Sequence, residues 1–283
     1  MADPTPGTSR RVARPKRPAP KPVGAPLWLV PTAVVAGIAL LIGAFLLIRH
    51  LNPPAPPPID ANSAPAVVAE ISAIPPLELD KIGLGSATNS FKKVSGAALT
   101  AAGKPVVLYI GAEFCPYCAF ERWAMIIALS RFGKWSGLQE TRSSSTDIYP
   151  NTPTFTFRAA TLTSQYVAFQ AVETADRSRK ALQSPSASQQ ALYARYNTAG
   201  TIPFVDFGNR YTVTGATYAN VGIIDGMSWK AIADALMQPA SAQAKAVLGS
   251  ANLVTAAVCQ LTAQKPAAVC SLASIKAIEA RLG

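Results

Sequence analysis

Four cysteines are the residues best suited to chemistry in this chain. Two of them belong to the motif Cys115-Pro116-Tyr117-Cys118, which comes soon after the apolar run 106–110. The run predicts a buried strand, and the helical spacing of apolar residues after the motif predicts a helix that begins at the cysteines. Unpaired N–H groups and the helix dipole stabilise a thiolate at such a helix start. The pattern therefore predicts a redox-active dithiol.

The spacing of the two thiols assigns them different roles. Cys115, at the exposed start of the helix, is expected to be the nucleophile, and Cys118, on the same helical face, is expected to resolve the mixed disulfide. A structural disulfide and half of a metal site are the alternatives. A metal would need two more ligands, and the spacing of Cys259 and Cys270 departs from common zinc patterns. We therefore expect no metal and no bound cofactor.

The composition places part of the chain in lipid. Of 283 residues, 49% are hydrophobic and 14% are charged, with a net charge of +11. The charged fraction is far below the ~25% of an average soluble domain, which excludes disorder of the whole chain. No basic stripe is interleaved with aromatic residues, so nucleic acid is not an expected partner. The single histidine, His50, argues against His-based triads and His-ligated catalytic zinc.

An uncharged apolar stretch at 27–48 predicts a transmembrane helix. Its 22 residues suffice for a hydrocarbon core of ~30 Å and exceed the roughly 7–15 of a cleavable signal core. Six basic residues in the first 21 positions place the N-terminus in the cytoplasm. We expect a disordered basic cytoplasmic tail at 1–26 and a single-pass anchor in the cytoplasmic membrane, with the rest outside the cytoplasm. A signal peptide or a buried core helix is the alternative.

The exported part is predicted to start with a spacer. Eight prolines lie in 53–76, which indicates a stiff, extended linker over 49–76. The folded domain is then expected over 77–238, followed by a C-terminal helical extension at 239–283.

Strands and helices alternate in that domain, which predicts an α/β layered fold. Gly133 is expected to end the first helix, and Ser228 to cap the third. A turn is expected at Gly208-Asn209, and breaks in the C-terminal helices at Gly249 and Lys265-Pro266. The predicted strands are 106–110, 154–161, 166–172, 204–207 and 211–214, and the predicted helices are 119–132, 188–197 and 229–237.

The second cysteine pair, Cys259 and Cys270, flanks Lys265-Pro266 between two helical segments. Cysteines outside the cytoplasm oxidise, so a structural disulfide that joins the two segments is the favoured interpretation. An electron relay with the Cys115–Cys118 pair and two free thiols are the alternatives. No residue around either cysteine favours the relay.

Several motifs resemble thioredoxins. The run 107–118 resembles their active-site strand, turn and helix start, and CPYC is the form typical of glutaredoxins. Thr201-Ile202-Pro203 resembles their cis-proline loop, and residues 226–229 with the following helix resemble their closing helix. Most of the exported part also resembles the membrane-anchored domain-of-unknown-function family 929.

The resemblance implies a thioredoxin-like fold, in which helices flank a mixed sheet. It implies that Pro203 lies in cis form against the cysteine pair and that Ile202 offers backbone hydrogen bonds to a client. Tyr117, between the cysteines, is expected to contact the client as well.

The chain departs from the thioredoxin pattern in three places. The 84 residues between Cys118 and Pro203 predict an insertion at about 140–200, made of the loop 143–152 and the polar stretch 174–200. The buried aspartate of thioredoxins, six residues before the first cysteine, is Tyr109 here. Glu113 is a candidate substitute, or else an exposed salt-bridging side chain. The residues with which glutaredoxins hold glutathione have no counterpart, so glutathione is not expected as co-substrate.

The favoured hypothesis is a membrane-tethered thiol–disulfide oxidoreductase. Its expected clients are exported cysteine-containing proteins, and its expected partners are the lipid bilayer and a membrane redox protein that regenerates the site. The motif is compatible with oxidase, isomerase or reductase use. The alternatives are a non-catalytic partner-binding module of the same fold, and a Cu(I)-handling protein that uses the same two sulfurs.

Overall fold

The computed structural model describes residues 29–51, 64–88 and 90–282, in two compact units, 1–55 and 56–283. In the first unit, helix α1 (Leu29–Leu51) covers most of the predicted membrane span, and its side chains from Val35 to Ile48 are exposed. The predicted tail, residues 27–28 of the span and residues 52–63 of the linker lie outside the described residues. The membrane anchor and its orientation stay predictions.

The second unit is a mixed α/β fold in which short strands and helices alternate along the chain. In order, its elements are α2 (Ala64–Ser72), α3 (Pro76–Ile82), β1 (Lys92–Lys93), β2 (Thr100–Ala101), β3 (Lys104–Gly111), α4 (Pro116–Ser130), β4 (Gly133–Ser136), β5 (Gln139–Arg142), β6 (Pro153–Thr156), β7 (Thr161–Ser164), β8 (Ala168–Glu173), α5 (Ala187–Tyr196), β9 (Phe204–Phe207), β10 (Tyr211–Thr214), a 3₁₀ turn (Val221–Ile224), α6 (Trp229–Leu236), α7 (Ala242–Leu261), α8 (Ala267–Cys270) and α9 (Ala273–Glu279).

The main sheet is centred on β3, which is the buried strand that the apolar run predicts. β8 pairs with β3 in parallel, and β9 pairs with it antiparallel. β10 continues the sheet beyond β9, β1 follows at that edge, and β2 pairs with the first residues of β3. Successive side chains of β3 point to opposite faces. Tyr109 therefore joins the core that includes α4, α6 and α7, whereas Leu108 joins a smaller core against α5.

Helix α7 is a core helix of this unit. Its 20 residues are long and apolar enough to cross a membrane, but 83% of its most apolar stretch is buried inside the unit. It runs through Gly249, so the predicted break there is wrong. A Cβ at Gly249 would collide with the carbonyl oxygen of Leu84, which shows that this glycine serves a close backbone approach. The predicted break at Lys265-Pro266 is confirmed by the gap between α7 and α8.

Gly133 does not end α4 in the way the sequence predicts. The helix ends at Ser130 with Arg131 as a right-handed C-cap, and Gly133 begins β4. The physical reason is the partner strand: a Cβ on Gly133 would collide with the carbonyl oxygen of Thr163 in β7. The glycine therefore permits close strand pairing.

The four strands between α4 and β8 do not join the main sheet. β4 pairs with β7 and β5 with β6, which gives two small sheets outside the main one. The predicted strand 154–161 is thus two strands. The predicted insertion at about 140–200 stays a prediction; within that range, β8 pairs with β3 in the main sheet and α5 packs against the smaller core.

The predicted linker is wrong over 64–76. Helix α2 lies there, with Ala64, Val67 and Ile71 buried in the main core. The positions of the prolines explain the difference, because all three in this stretch lie at helix starts, with Pro65 as the second residue of α2. Pro75 and Pro76 form the N-cap and the first residue of α3, where a missing N–H costs nothing. The folded part therefore begins well before residue 77.

The C-terminal helices are held by a disulfide. Cys259 in α7 and Cys270 in α8 are joined, with their Cα atoms 5.5 Å apart, and both are buried. The remaining pair, Cys115 and Cys118, is in the thiol form.

Core membership of α2 can be tested by truncating one of its side chains. Ile71, 1% exposed, should cost about 2–5 kcal/mol when changed to Ala, because a buried aliphatic group leaves a cavity. Leu77→Ala is the control, because Leu77 is 67% exposed and its loss should change little. Urea unfolding of the full-length protein would measure both. If both variants unfolded at the same urea concentration, residues 64–76 would be a linker and not part of the folded core.

The disulfide should contribute to stability by closing a loop in the unfolded chain. The double variant Cys259→Ala/Cys270→Ala should lower the free energy of unfolding by roughly 3 kcal/mol. Reduced wild-type protein is the matched control and should unfold at nearly the same urea concentration as the double variant. A double variant that unfolds with oxidised wild-type protein would contradict the prediction.

Candidate dithiol site

The two free cysteines lie where the central strand passes into the most buried helix. β3 ends at Gly111, and Cys115 is the N-cap of α4 with an extended backbone. The Cys115 sulfur accepts a hydrogen bond from the backbone N–H of Cys118 at 3.3 Å. Pro116 occupies the first turn, where it leaves no N–H unpaired. The helix therefore presents its free N–H groups to the Cys115 sulfur.

A distant loop completes the site. The Cys115 thiol donates to the carbonyl oxygen of Ile202 at 3.7 Å, and the Ile202–Pro203 bond is cis. Asn197 holds this loop, since its side-chain amide donates to the carbonyl oxygen of Thr201 at 2.6 Å. The predicted residues of the cysteine motif and the proline loop are thus brought together.

The exposed surface of the pair is small. Cys115 is 6% exposed and Cys118 is 0% exposed. The expectation that Cys115 lies exposed is wrong, because it sits at an N-cap beneath the Ile202 loop. Tyr117 is half-buried in the first turn of α4, packed against the core. A client contact with Tyr117 stays a prediction.

The two thiols differ in acidity. Interaction with the Cys118 side chain lowers the pKa of Cys115, and backbone N–H groups and the charge of Arg122 add to this against the effect of burial. Burial raises the pKa of Cys118 well above its usual value, and the neighbouring Cys115 raises it further. The pair is therefore polarised, with Cys115 as the better nucleophile.

A buried ion pair that the sequence analysis missed lies beneath the dithiol. Arg122 and Glu173 are both 0% exposed and share two hydrogen bonds, Nε to Oε1 at 2.9 Å and Nη2 to Oε2 at 2.7 Å. Arg122 also donates to the carbonyl oxygen of Ala112 at 2.7 Å. The available signal was an arginine four residues after Cys118 in a mostly apolar helix.

Tyr109 and Glu113 differ from a thioredoxin-type aspartate. Tyr109 is fully buried, edge-on to Phe157 at 5.0 Å between ring centroids, and burial raises its pKa well above the usual value. Glu113 is 9% exposed and makes no ion pair within the described part of the chain, so it is not an exposed salt-bridging side chain.

A second buried carboxylate lies on α4 and was also missed. Glu121 is 1% exposed, and its Oε2 accepts two hydrogen bonds at 2.9 Å, from the backbone N–H and the hydroxyl of Thr217. Burial raises the pKa of Glu121 to about 7, although both hydrogen bonds oppose the shift. This carboxyl therefore titrates near neutrality.

Comparison with known proteins identifies one matching family. The family model described as Domain of unknown function (DUF929) matches residues 90–260, which include the dithiol, the Ile202 loop and most of α7. No curated protein and no solved structure matches the chain. Among residues 29–51, 64–88 and 90–282, no group of three or more His, Cys, Asp or Glu side chains is arranged to hold a metal ion.

The buried Glu121 predicts a stability loss as the pH rises. Its folded pKa, about 7, lies above the ordinary value of 4.5, so the folded state holds the proton more tightly than the unfolded state. Between these two values, wild-type protein should lose about 3 kcal/mol relative to Glu121→Gln, which stays neutral. Urea unfolding from about pH 5 to about pH 8 would measure the difference. The control, Glu78→Gln at an exposed site, should follow wild type. Parallel curves for Glu121→Gln and wild type would contradict the prediction.

Proposed function

The chain belongs to the DUF929 family, and we propose that its second unit is a thioredoxin-like thiol–disulfide oxidoreductase. Its clients are cysteine-containing proteins outside the cytoplasm. The observation that carries the proposal is the contact of 3.7 Å between the Cys115 sulfur and the Ile202 carbonyl oxygen. It joins a polarised dithiol to a cis-proline loop 87 residues away, as the resemblance implies.

The order of elements supports the thioredoxin-like fold. A central strand, β3, leads into the cysteine turn and α4, and β8 returns parallel to β3. The proline loop then leads into the antiparallel hairpin β9–β10, and α6 follows as the closing helix with Ser228 as its N-cap. In this assignment, α5 belongs to the basic fold and β4–β7 form the insertion.

The chemistry of the site is a two-step exchange. The Cys115 thiolate attacks a client disulfide, one client sulfur leaves as a thiolate, and a mixed disulfide forms. Cys118 then attacks the Cys115 sulfur, which releases the second client sulfur and leaves a Cys115–Cys118 disulfide. The client gains two electrons and two protons in total, and the protein loses them. The reverse sequence transfers a disulfide to the client, and a membrane redox partner resets the pair in either case.

The Ile202 carbonyl is suited to positioning the client. It accepts only a weak, 3.7 Å contact from the Cys115 thiol, which a stronger backbone N–H donor can replace. A client segment in extended form could donate that N–H while its cysteine reaches the Cys115 sulfur. Ile202 is half-buried, so part of this loop faces solvent.

A location outside the cytoplasm agrees with the cysteine chemistry. The Cys259–Cys270 disulfide suits an oxidising compartment. The apolar helix α1 and the basic residues before it support a tether in the cytoplasmic membrane with the second unit outside.

The mechanism predicts opposite outcomes for the two cysteines. Cys118→Ser keeps the nucleophile but removes the resolving thiol, so clients should stay bound to Cys115 as mixed disulfides. Cys115→Ser leaves a thiol that is 0% exposed and high in pKa, so it should trap nothing. Alkylation in native membranes followed by non-reducing gels would show the reducible adducts.

Other outcomes of this experiment favour the alternatives. Equal adducts from both variants would contradict a polarised pair. If neither variant forms adducts and the pair does not react with small disulfides, the proposal fails and a partner-binding module gains support. Cu(I) binding by wild type that is lost in both variants would favour metal handling by the same sulfurs.

A further inference from the structure

Two polar atoms beneath the dithiol have no hydrogen-bond partner within the part of the chain that the structure describes. They are the hydroxyl oxygen of Tyr109 and Nη1 of Arg122, and both residues are 0% exposed. Burial of a polar group without a partner destabilises a fold, so each such atom calls for a physical reason. Replacement of Tyr109 by phenylalanine would remove the destabilisation caused by its buried hydroxyl.

Both atoms belong to residues that surround Cys118. Arg122 follows Cys118 by one helical turn, so the two side chains share a face of α4. The guanidinium carbon lies 5.7 Å from the centroid of the Tyr109 ring. A Cβ on Gly111 would collide with the Tyr109 hydroxyl, so the glycine leaves the space that this hydroxyl occupies.

Cys118 needs help to become a thiolate. Burial raises its pKa well above the usual value, and the nearby Cys115 raises it further, whereas the charge of Arg122 and the backbone of Ala112 oppose the shift. Burial also raises the pKa of Tyr109, and the Cys118 thiol is one of the neighbours that add to this shift. The ionisable groups around the Cys118 thiol are Cys115 and Arg122 on α4, Tyr109 on β3, Glu173 on β8 and Tyr193 on α5.

The two cysteines differ in the donors available to a thiolate. Backbone N–H groups of Tyr117 and Cys118 serve the Cys115 sulfur at the start of the helix. Cys118 lies inside the first turn, where Ala112 is the one backbone partner among the described residues. Side-chain donors must therefore supply the rest.

We propose that the Tyr109 hydroxyl and Arg122 Nη1 form a buried site that stabilises the Cys118 thiolate as it attacks the mixed disulfide. The inference rests on the proposed function. In this step the Cys115–Cys118 disulfide forms and the bond between Cys115 and the client breaks. The client sulfur leaves with the electron pair and takes up the proton that Cys118 lost, so no outside oxidant is needed. Glu173 holds Arg122 in place through two hydrogen bonds.

The test measures the reactions of Cys115 and Cys118 as two separate kinetic phases. Reduced full-length protein in detergent micelles is mixed with one equivalent of the aromatic disulfide dithiobis(nitrobenzoate). Cys115 releases the first coloured thiolate, and Cys118 releases the second when it resolves the mixed disulfide. Stopped-flow absorbance at several pH values gives the rate of each phase and the pH midpoint of the second.

Tyr109→Phe is the sharpest variant, because the lost hydroxyl has no hydrogen-bond partner among the described residues. It should slow the second phase about tenfold or more near neutral pH and raise its pH midpoint, since a hydrogen bond to a charged group is lost. The first phase and the thermal stability should not fall. Arg122→Met should slow the second phase at least as much, and it should also slow the first, because its charge acts on both thiols.

Two control variants and two contradicting outcomes complete the experiment. Arg131→Met, at the other end of α4, and Tyr211→Phe, on β10, should leave both phases at the wild-type rate. An unchanged second phase in Tyr109→Phe would overturn the inference, even if Arg122→Met fails to fold. A wild-type protein without a first phase would overturn the proposed function itself.

Discussion

Arg122 and Glu173 meet with two hydrogen bonds in a region from which solvent is excluded, and the geometry of the dithiol depends on that meeting. Burial of two charges costs several kcal/mol per ion unless the remaining donors and acceptors are also satisfied. Here the backbone supplies one partner to each ion: Arg122 donates to the carbonyl oxygen of Ala112, and Glu173 accepts from the N–H of Phe157 at 3.1 Å. Nη1 of Arg122 is left without a partner among the described residues. The pair thereby joins α4 to β8 and fixes the turn that precedes Cys115.

The same burial explains how the two thiols become different. α4 is buried along nearly its whole length between the sheet and α7, so only its two ends reach the surface, at Tyr117 and at Ser130. Cys115 at the N-terminal end keeps the helix N–H groups and a small exposed edge, whereas Cys118 loses contact with solvent entirely. α7 can cover α4 closely because it is rich in alanine, and the Cys259–Cys270 disulfide ties its end to α8.

Local patterns allowed much of the fold to be predicted. The apolar run of β3, the cysteine helix, the hairpin β9–β10 and the Ser228 cap each depend on residues close in sequence, and the structure confirms all four. The errors at Gly133 and Gly249 have the opposite cause. Each glycine permits the approach of a distant backbone, that of Thr163 or of Leu84, and no local pattern reveals a distant partner.

The same contrast between local patterns and distant contacts applies to the candidate site. The cysteines and the proline loop were predicted because their motifs are local and belong to a familiar pattern. The Arg122–Glu173 pair was not, because its members are 51 residues apart and only β3–β8 pairing brings them together. The helix α2 was hidden for a compositional reason, since prolines on both sides of its apolar segment suggested one continuous spacer.

The strands of the two small sheets contribute to the rim of the dithiol site. The loop between β5 and β6 reaches the cysteine turn, where the backbone N–H of Ser144 donates to the carbonyl oxygen of Phe114 at 2.8 Å. From the loop after β8, Arg179 lies over the Phe114 ring at 4.1 Å and pairs with Asp147 at 2.9 Å. Both loops therefore meet at the residue before Cys115. Under the proposed function, any client of Cys115, which exposes only 6% of its surface, has to pass this rim.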